Sequence, residues 1–305
     1  MREQLTPKQV ARALEVSESS VKRWCDRGLI PTQYTAGGHR RIALSDLLVR
    51  VRDGRYRLVH PEALGLPPTS GRSLGGRQRA GQRIGEALLE GAEQRCRQIV
   101  FDLVLADQPL AAICDEVLAE ALCEIGHRWE QGEAEVYQER RACEIVLRIL
   151  HELRTMIPAP PEDAPEALGG TMAGDRYVLG TTMAELVLRE AGWKAISLGD
   201  NLPASTLAAA LQTHRPSLFW LSCSHIPDET AFLQAYQSLY QSHGQRAAFV
   251  VGGNALTESL RGQMQYASYC DKMQHLASFA NSLQRMSNRI SGEKHDESQN
   301  PTLEN

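Results

Sequence analysis

Leu5-Thr6-Pro7-Lys8-Gln9-Val10-Ala11 and, shortly after, Ser17-Glu18-Ser19-Ser20-Val21-Lys22-Arg23-Trp24-Cys25 decide the fold of the amino-terminal end. Thr6 can cap a helix, Pro7 suits its first position, and Gln9 completes a capping box, with Val10, Ala13 and Leu14 forming one apolar face. Ser17 starts a second helix whose inner face carries Val21, Trp24 and Cys25, leaving Ser19, Ser20, Lys22, Arg23 and Arg27 elsewhere. Gly28 ends it and Leu29-Ile30-Pro31 packs back. Thr35 to Ile42 then reads as a hairpin turning at Gly37-Gly38, before a further helix near Ser45 to Arg52. The pattern is a helix-turn-helix followed by a wing.

Charge agrees with that reading. Residues 1–57 hold twelve Lys and Arg against six Asp and Glu, a balance of +6, which leaves −10 for the rest of a chain whose net charge is −4. A basic head on an acidic body points first to a nucleic-acid surface. The 305 residues suffice for about two domains, and 42% hydrophobic with 23% charged residues is a globular composition. No apolar run approaches the ~18 residues of a spanning helix, and Met1-Arg2-Glu3-Gln4 opens no export segment, so a soluble, cytoplasmic protein is expected. Seven scattered cysteines without a Cys-x-x-Cys pair are expected to be reduced core residues.

Residues 58–79, with Gly65-Leu66-Pro67-Pro68-Thr69-Ser70-Gly71 and Gly75-Gly76, suit a mobile linker. From 80 to 156 the apolar spacing is helical throughout and predicts a four-helix bundle. Ile157-Pro158-Ala159-Pro160-Pro161 breaks it. Over 169–287 short apolar runs alternate with amphipathic helices, as in a flavodoxin-like α/β domain with a parallel sheet. The expected strands are Gly170 to Ala173, Lys194 to Leu198, Ser217 to Cys223, Ala247 to Val251 and Ser268 to Cys270; the last helix is expected over Met273 to Met286, with a disordered polar tail over 288–305.

The amino-terminal motifs, with Thr35-Ala36-Gly37-Gly38-His39-Arg40-Arg41-Ile42, resemble the DNA-binding domain of MerR-type regulators. The resemblance implies base-edge and phosphate contacts from Ser19, Ser20, Lys22 and Arg23 on the second helix, and wing contacts from Tyr34, His39, Arg40 and Arg41. The carboxy-terminal part resembles cobalamin-binding domains, which carry Asp-x-His-x-x-Gly, then Ser-x-Ser/Thr/Leu, then Gly-Gly. Here these are Asp175-Arg176-Tyr177-Val178-Leu179-Gly180, Ser222-Cys223-Ser224 and Gly252-Gly253. In such domains the hydroxyl residues leave room for the nucleotide tail and the glycines permit close backbone approach. The lower cobalt ligand is the histidine, where this chain has Tyr177, whose phenol must lose a proton with an ordinary pKa of about 10 before it ligates well.

Ahead of that domain, light-sensing repressors of the MerR class place a bundle bearing Trp, nine residues, then Glu-His over the upper face of the cofactor. This chain has Trp129, nine residues, then Glu139-Arg140, and a guanidinium has no lone pair to donate. Trp129 as plain core, and Arg140 paired with Glu135 or Glu144, are the structural alternatives. As a whole the chain resembles the light-dependent, cobalamin-binding MerR-type repressors of carotenoid genes.

The expected function is therefore a DNA-binding transcriptional regulator, a repressor, acting on a double-stranded operator as a homo-oligomer. Cobalamin is expected to bind weakly or not at all, without a light response. The alternatives are a working adenosylcobalamin photoreceptor, a corrinoid carrier of methyl transfer, and partnership with a protein antirepressor. No hydrolytic triad, phosphate loop or metal-ligand cluster suggests an enzyme; Gly252-Gly253 lacks the Lys-Ser/Thr of a nucleotide loop.

Overall fold

A computed structural model describes residues 4–52, 55–66 and 77–297. The chain divides into two compact units, Met1–Ala159 and Pro160–Asn305. In the first, β1 (Gln4–Leu5) leads into α1 (Pro7–Leu14), α2 (Glu18–Asp26), β2 (Gln33–Tyr34), β3 (Arg40–Ala43) and α3 (Leu44–Arg52). The expected capping box forms: the Thr6 hydroxyl accepts from the Gln9 backbone at 3.3 Å, and the Gln9 side chain accepts from the Thr6 N–H at 2.9 Å. Glu15, at φ 56, closes α1 in the left-handed region, and Ser17 caps α2. β3 lies between β1 and β2, antiparallel to both, with Leu5 opposite Ile42 and Tyr34 opposite Arg40. Leu5, Val10, Val21, Ile30, Ile42 and Leu47 fill the core beneath.

The expected linker over 58–79 is partly structured. Val59 and His60 both donate backbone N–H bonds to the Ala13 carbonyl, and Pro61–Leu64 forms a 3-10 turn. That proline pre-sets the backbone for such a turn, whereas composition alone suggested a flexible segment. Residues 67–76 of that stretch lie outside the described residues. Helices follow: α4 (Arg77–Glu90), α5 (Glu93–Leu105), α6 (Leu110–Ile113), α7 (Glu120–Glu130) and α8 (Val136–Arg154). A π stretch, Cys114–Ala119, joins α6 to α7, so the two run as one helix with a wide turn inside it. Their buried faces carry Ile84, Val100, Ile113, Val117, Ile125 and Val146.

The second unit holds β4 (Glu166–Gly170), α9 (Val178–Glu190), β5 (Lys194–Ser197), α10 (Ala204–His214), β6 (Leu218–Ser222), α11 (Glu229–His243), β7 (Ala248–Gly252), α12 (Glu258–Arg261), β8 (Ser268–Tyr269) and α13 (Met273–Glu297). The strands form one parallel sheet in the order β5-β4-β6-β7-β8. Ala184 and Leu188 of α9, with Leu276 and Ala280 of α13, pack on the face that carries Leu218, Trp220 and Val250. Leu207 and Leu211 of α10, with Phe232 and Tyr236 of α11, cover the face of Phe219, Leu221 and Phe249.

Two boundaries differ from the sequence expectation. The first strand is Glu166–Gly170, not Gly170 to Ala173. Gly169 and Gly170 read as a boundary but sit inside the strand, where a Cβ would strike the Trp220 indole or approach the Gly199 carbonyl at 2.7 Å. The last helix continues past Met286 to Glu297, so the tail is helical over 288–297. No proline interrupts it, and Glu293, Lys294 and Glu297 are good helix formers despite their polarity. Residues 298–305 lie outside the described residues.

Candidate functional site

The exposed face of α2 and the β2–β3 hairpin present the first group. Ser19, Lys22 and Arg23 are exposed, whereas Ser20 is half-buried. The Ser17 hydroxyl lies 2.9 Å from that of Ser19 and 2.8 Å from that of Ser20, so the helix start is a small hydrogen-bonded cluster of hydroxyls. Lys22 pairs with Glu18 one turn earlier at 2.9 Å, an exposed pair that costs little to open. On the hairpin, Thr35 and His39 close the turn by a 2.9 Å backbone bond, and Gly38 takes φ +74. Tyr34 and His39 stand exposed. Arg40 is not free: its guanidinium donates to Asp26 at 2.7 Å and lies 5.6 Å over the Tyr34 ring. The bond to Asp26 is the main cause holding the Arg40 pKa above its ordinary value. Arg41 donates to the Arg40 carbonyl at 3.1 Å. Asp26 at the end of α2 thus ties the hairpin to the helix, a link across fourteen positions that sequence spacing did not signal.

In the helical part, Trp129 stands near the end of α7 and is 47% exposed, so it is not core. Glu139 and Arg140 lie in the first turns of α8. Arg140 approaches an acidic neighbour, Glu139, at 3.4 Å. Glu139 also accepts from the Cys143 thiol at 3.5 Å, and burial, with this carboxylate beside it, pushes that thiol up to about 12.

In the α/β unit the three quoted motifs meet at the carboxyl ends of the strands, where β4 and β6 lie side by side and their helices leave to opposite faces. Such a switch point is where open parallel sheets bind ligands. Asp175 is buried and organises it: one carboxylate oxygen accepts the Tyr177 N–H at 3.0 Å, and the other accepts Ser224 N–H at 2.6 Å and His225 N–H at 3.2 Å. Tyr177 precedes α9 and is 44% exposed. Gly180 faces Ser222, whose hydroxyl would lie 2.5 Å from an added Cβ. Gly252 packs on the Cys270 carbonyl, and Gly253, at φ +115, backs onto the Cys223 carbonyl, so neither site accepts a side chain.

One residue at this site was missed in the sequence. Trp220 lies two residues before Ser222 in β6, hence on the same face, and is buried. Its Nε1–H donates to the Thr181 hydroxyl at 3.0 Å, which is 3.2 Å from that of Ser197. Period-two alternation backwards from Ser222 would have found it. A cavity of ~230 Å³ opens at the switch point and extends toward α10 and α11, lined by Met172, Asp175, Ser222, Cys223, Ile226 and Phe232. Among the described residues no group of three His, Cys, Asp or Glu is arranged to hold a metal ion, and no helix is long and apolar enough to cross a membrane.

Residues 5–55 match the family model of a helix-turn-helix domain, and residues 81–154 that of a B12 binding domain. The chain is 34% identical over 123 residues to the HTH-type transcriptional repressor CarH of Myxococcus xanthus, a match covering 40% of either protein. The matched stretch thus spans less than half of that repressor. The fold also resembles the monomethylamine corrinoid protein of Methanosarcina barkeri, with a TM-score of 0.59 and 13% identity, over 68% of this chain and all of that one. The chain carries a helix-turn-helix domain, a B12-binding domain and a parallel α/β unit.

Proposed function

We propose that this protein is a sequence-specific transcriptional regulator, a repressor, that binds double-stranded DNA as a homo-oligomer. The observation that carries the proposal is the joint presentation of Ser19, Lys22 and Arg23 on α2 with Tyr34, His39 and Arg41 on the hairpin, at the basic end of the chain. In this reading the hairpin is the wing of a winged helix-turn-helix: α2 enters the major groove and the hairpin follows the phosphates. One head offers few base contacts, so two heads on half-sites of a twofold-symmetric operator supply the specificity. The match to a repressor along part of the chain supports the same role.

The helices from α4 to α8 are read as a four-helix bundle and, with the α/β unit, as a sensory half derived from a corrinoid-binding one. The residues of the site do not fit a corrinoid held in the usual way. Tyr177 offers no imidazole below the cobalt, and Arg140 offers no donor above it. Adenosylcobalamin is expected to bind weakly or not at all, and DNA binding to be the same in light and dark. A gel shift with the DNA upstream of the protein's own gene, run in the dark, in green light and with adenosylcobalamin, tests both parts. A specific shift that ignores light and cofactor is expected; no specific shift removes the regulator, and one lost on illumination restores the photoreceptor.

A further inference from the structure

The glycines and hydroxyls that carry the resemblance to cobalamin-binding domains place the nucleotide tail of a corrinoid beside Ser222 and Gly252-Gly253, beneath the carboxyl ends of the strands. Here that face is closed. Ser222 already meets α9 at Gly180. One pleat repeat deeper, about 6.6 Å along β6, the Trp220 indole is buried on the same face of the strand as Ser222. Gly169 is its partner in the β4–β6 register, and the missing Cβ of that glycine is the room the indole uses. On the helix side the bond to Thr181, continued to Ser197, holds the ring in place. Swinging it out would strand that donor and empty part of a packed core. An indole and the benzimidazole at the end of a cobalamin tail are nearly the same size, so one slot cannot hold both. The cavity at the switch point reaches Ser222 but is otherwise lined from the α10 and α11 side, by residues such as Cys223, Ile226 and Phe232, and does not extend to Trp220, Thr181 or Gly169.

We propose that Trp220 closes this unit to corrinoids bearing a nucleotide tail, by filling with its own indole the slot between β4, β6 and α9 that the tail would take. The proposal rests on reading the unit as corrinoid-derived. It implies that restoring a histidine at position 177 is insufficient.

The test compares two probes that share a corrin ring, aquocobalamin and diaquocobinamide, the second lacking the nucleotide tail. The full chain, Tyr177→His and Tyr177→His/Trp220→Ala are each titrated with both, following the visible spectrum. Tyr177→His, with the indole in place, is expected to bind cobinamide at least about tenfold more tightly than cobalamin. Adding Trp220→Ala should bring the two within about threefold, chiefly by strengthening cobalamin. Equal binding of the two probes by Tyr177→His overturns the proposal without needing the Trp220 variant to fold. Failure of a folded double variant, checked by circular dichroism, to bind either probe overturns it together with the corrinoid-derived reading. A gel shift on each variant reports separately on the DNA-binding reading.

Discussion

If the hairpin follows the DNA backbone, its two arginines should be counted in the salt dependence of binding, and unequally. Each phosphate neutralised by a cation contributes about 0.9 to the slope of log K against log salt. Between 50 and 200 mM salt one lost contact then changes the fall in affinity by about 3.5-fold, and two by about 12-fold. Arg41 has no carboxylate among the partners seen for it and donates to a carbonyl, so Arg41→Ala should remove close to a full contact per head. Arg40 shares its charge with Asp26 at 2.7 Å, so Arg40→Ala should remove less. Asp26→Asn should do the reverse, tightening binding and steepening the slope, because it deletes an anion beside the phosphates and releases the guanidinium. Fluorescence anisotropy with a labelled operator duplex at several salt concentrations measures all three. Ser19→Ala, on the helix, should instead change which sites are preferred while leaving the slope alone. Parallel salt plots for the native protein and an Arg40→Ala/Arg41→Ala double variant would refute the placement of the hairpin on the backbone. A weaker slope in Asp26→Asn would refute the assignment of Asp26 as a restraint on Arg40.

Two further outcomes follow from burial. Asp175→Ala leaves the N–H groups of Tyr177, Ser224 and His225 without their acceptor and should lower the stability of the α/β unit by ~2–4 kcal/mol, with Asp175→Asn intermediate because it keeps one acceptor oxygen; thermal melts of the two variants that coincide with the native protein would sink the clamp. Burial raises the thiols of Cys96 to about 11 and Cys143 to about 12, so at pH 8 no more than roughly a thousandth of either is thiolate. The exposed Cys123 should therefore react first with an aromatic disulfide reagent and all seven only after denaturation, while rapid labelling of Cys143 in the native protein, read by mass spectrometry, would contradict the packing around α8.

Local chemistry was legible in the sequence wherever the partners lie within a turn of one another. The Thr6–Gln9 box, the Ser17 cap and the Gly38 turn involve residues at most a few positions apart, and the sequence shows both partners at once. The alternation of strand and helix in the second unit was legible for the same reason. The Asp26–Arg40 tie and the Trp220–Thr181 bond were not, because each joins residues brought together by folding, fourteen and thirty-nine positions apart. The first strand was misplaced by a related cause. Glycine usually marks the end of an element, but Gly169 is demanded from outside its own strand, by an indole on the neighbouring one. The π stretch inside the third long helix has no local signal in Cys114–Ala119, which reads as ordinary helix.

The same distinction separates the residues that carry the resemblance to cobalamin-binding domains from Tyr177, Arg140 and Trp220. Gly253 is held at φ +115 against the Cys223 carbonyl, Gly252 abuts the Cys270 carbonyl, and Gly180 leaves room for the Ser222 hydroxyl. Asp175, the first residue of its motif, spends both carboxylate oxygens on backbone N–H groups of its own loop and the loop after β6. Each of these residues has a packing or hydrogen-bonding partner within the fold itself. Their presence therefore serves the fold as well as carrying the resemblance to cobalamin-binding domains. Tyr177, Arg140 and Trp220 stand where no such backbone demand applies: two side chains are open to solvent and the third fills a space a smaller residue would leave open. They come from separate elements, and the proposed exclusion of a corrinoid gives each a separate test: if it holds, Tyr177→His alone leaves the Trp220 indole in place and should not restore cobalamin binding.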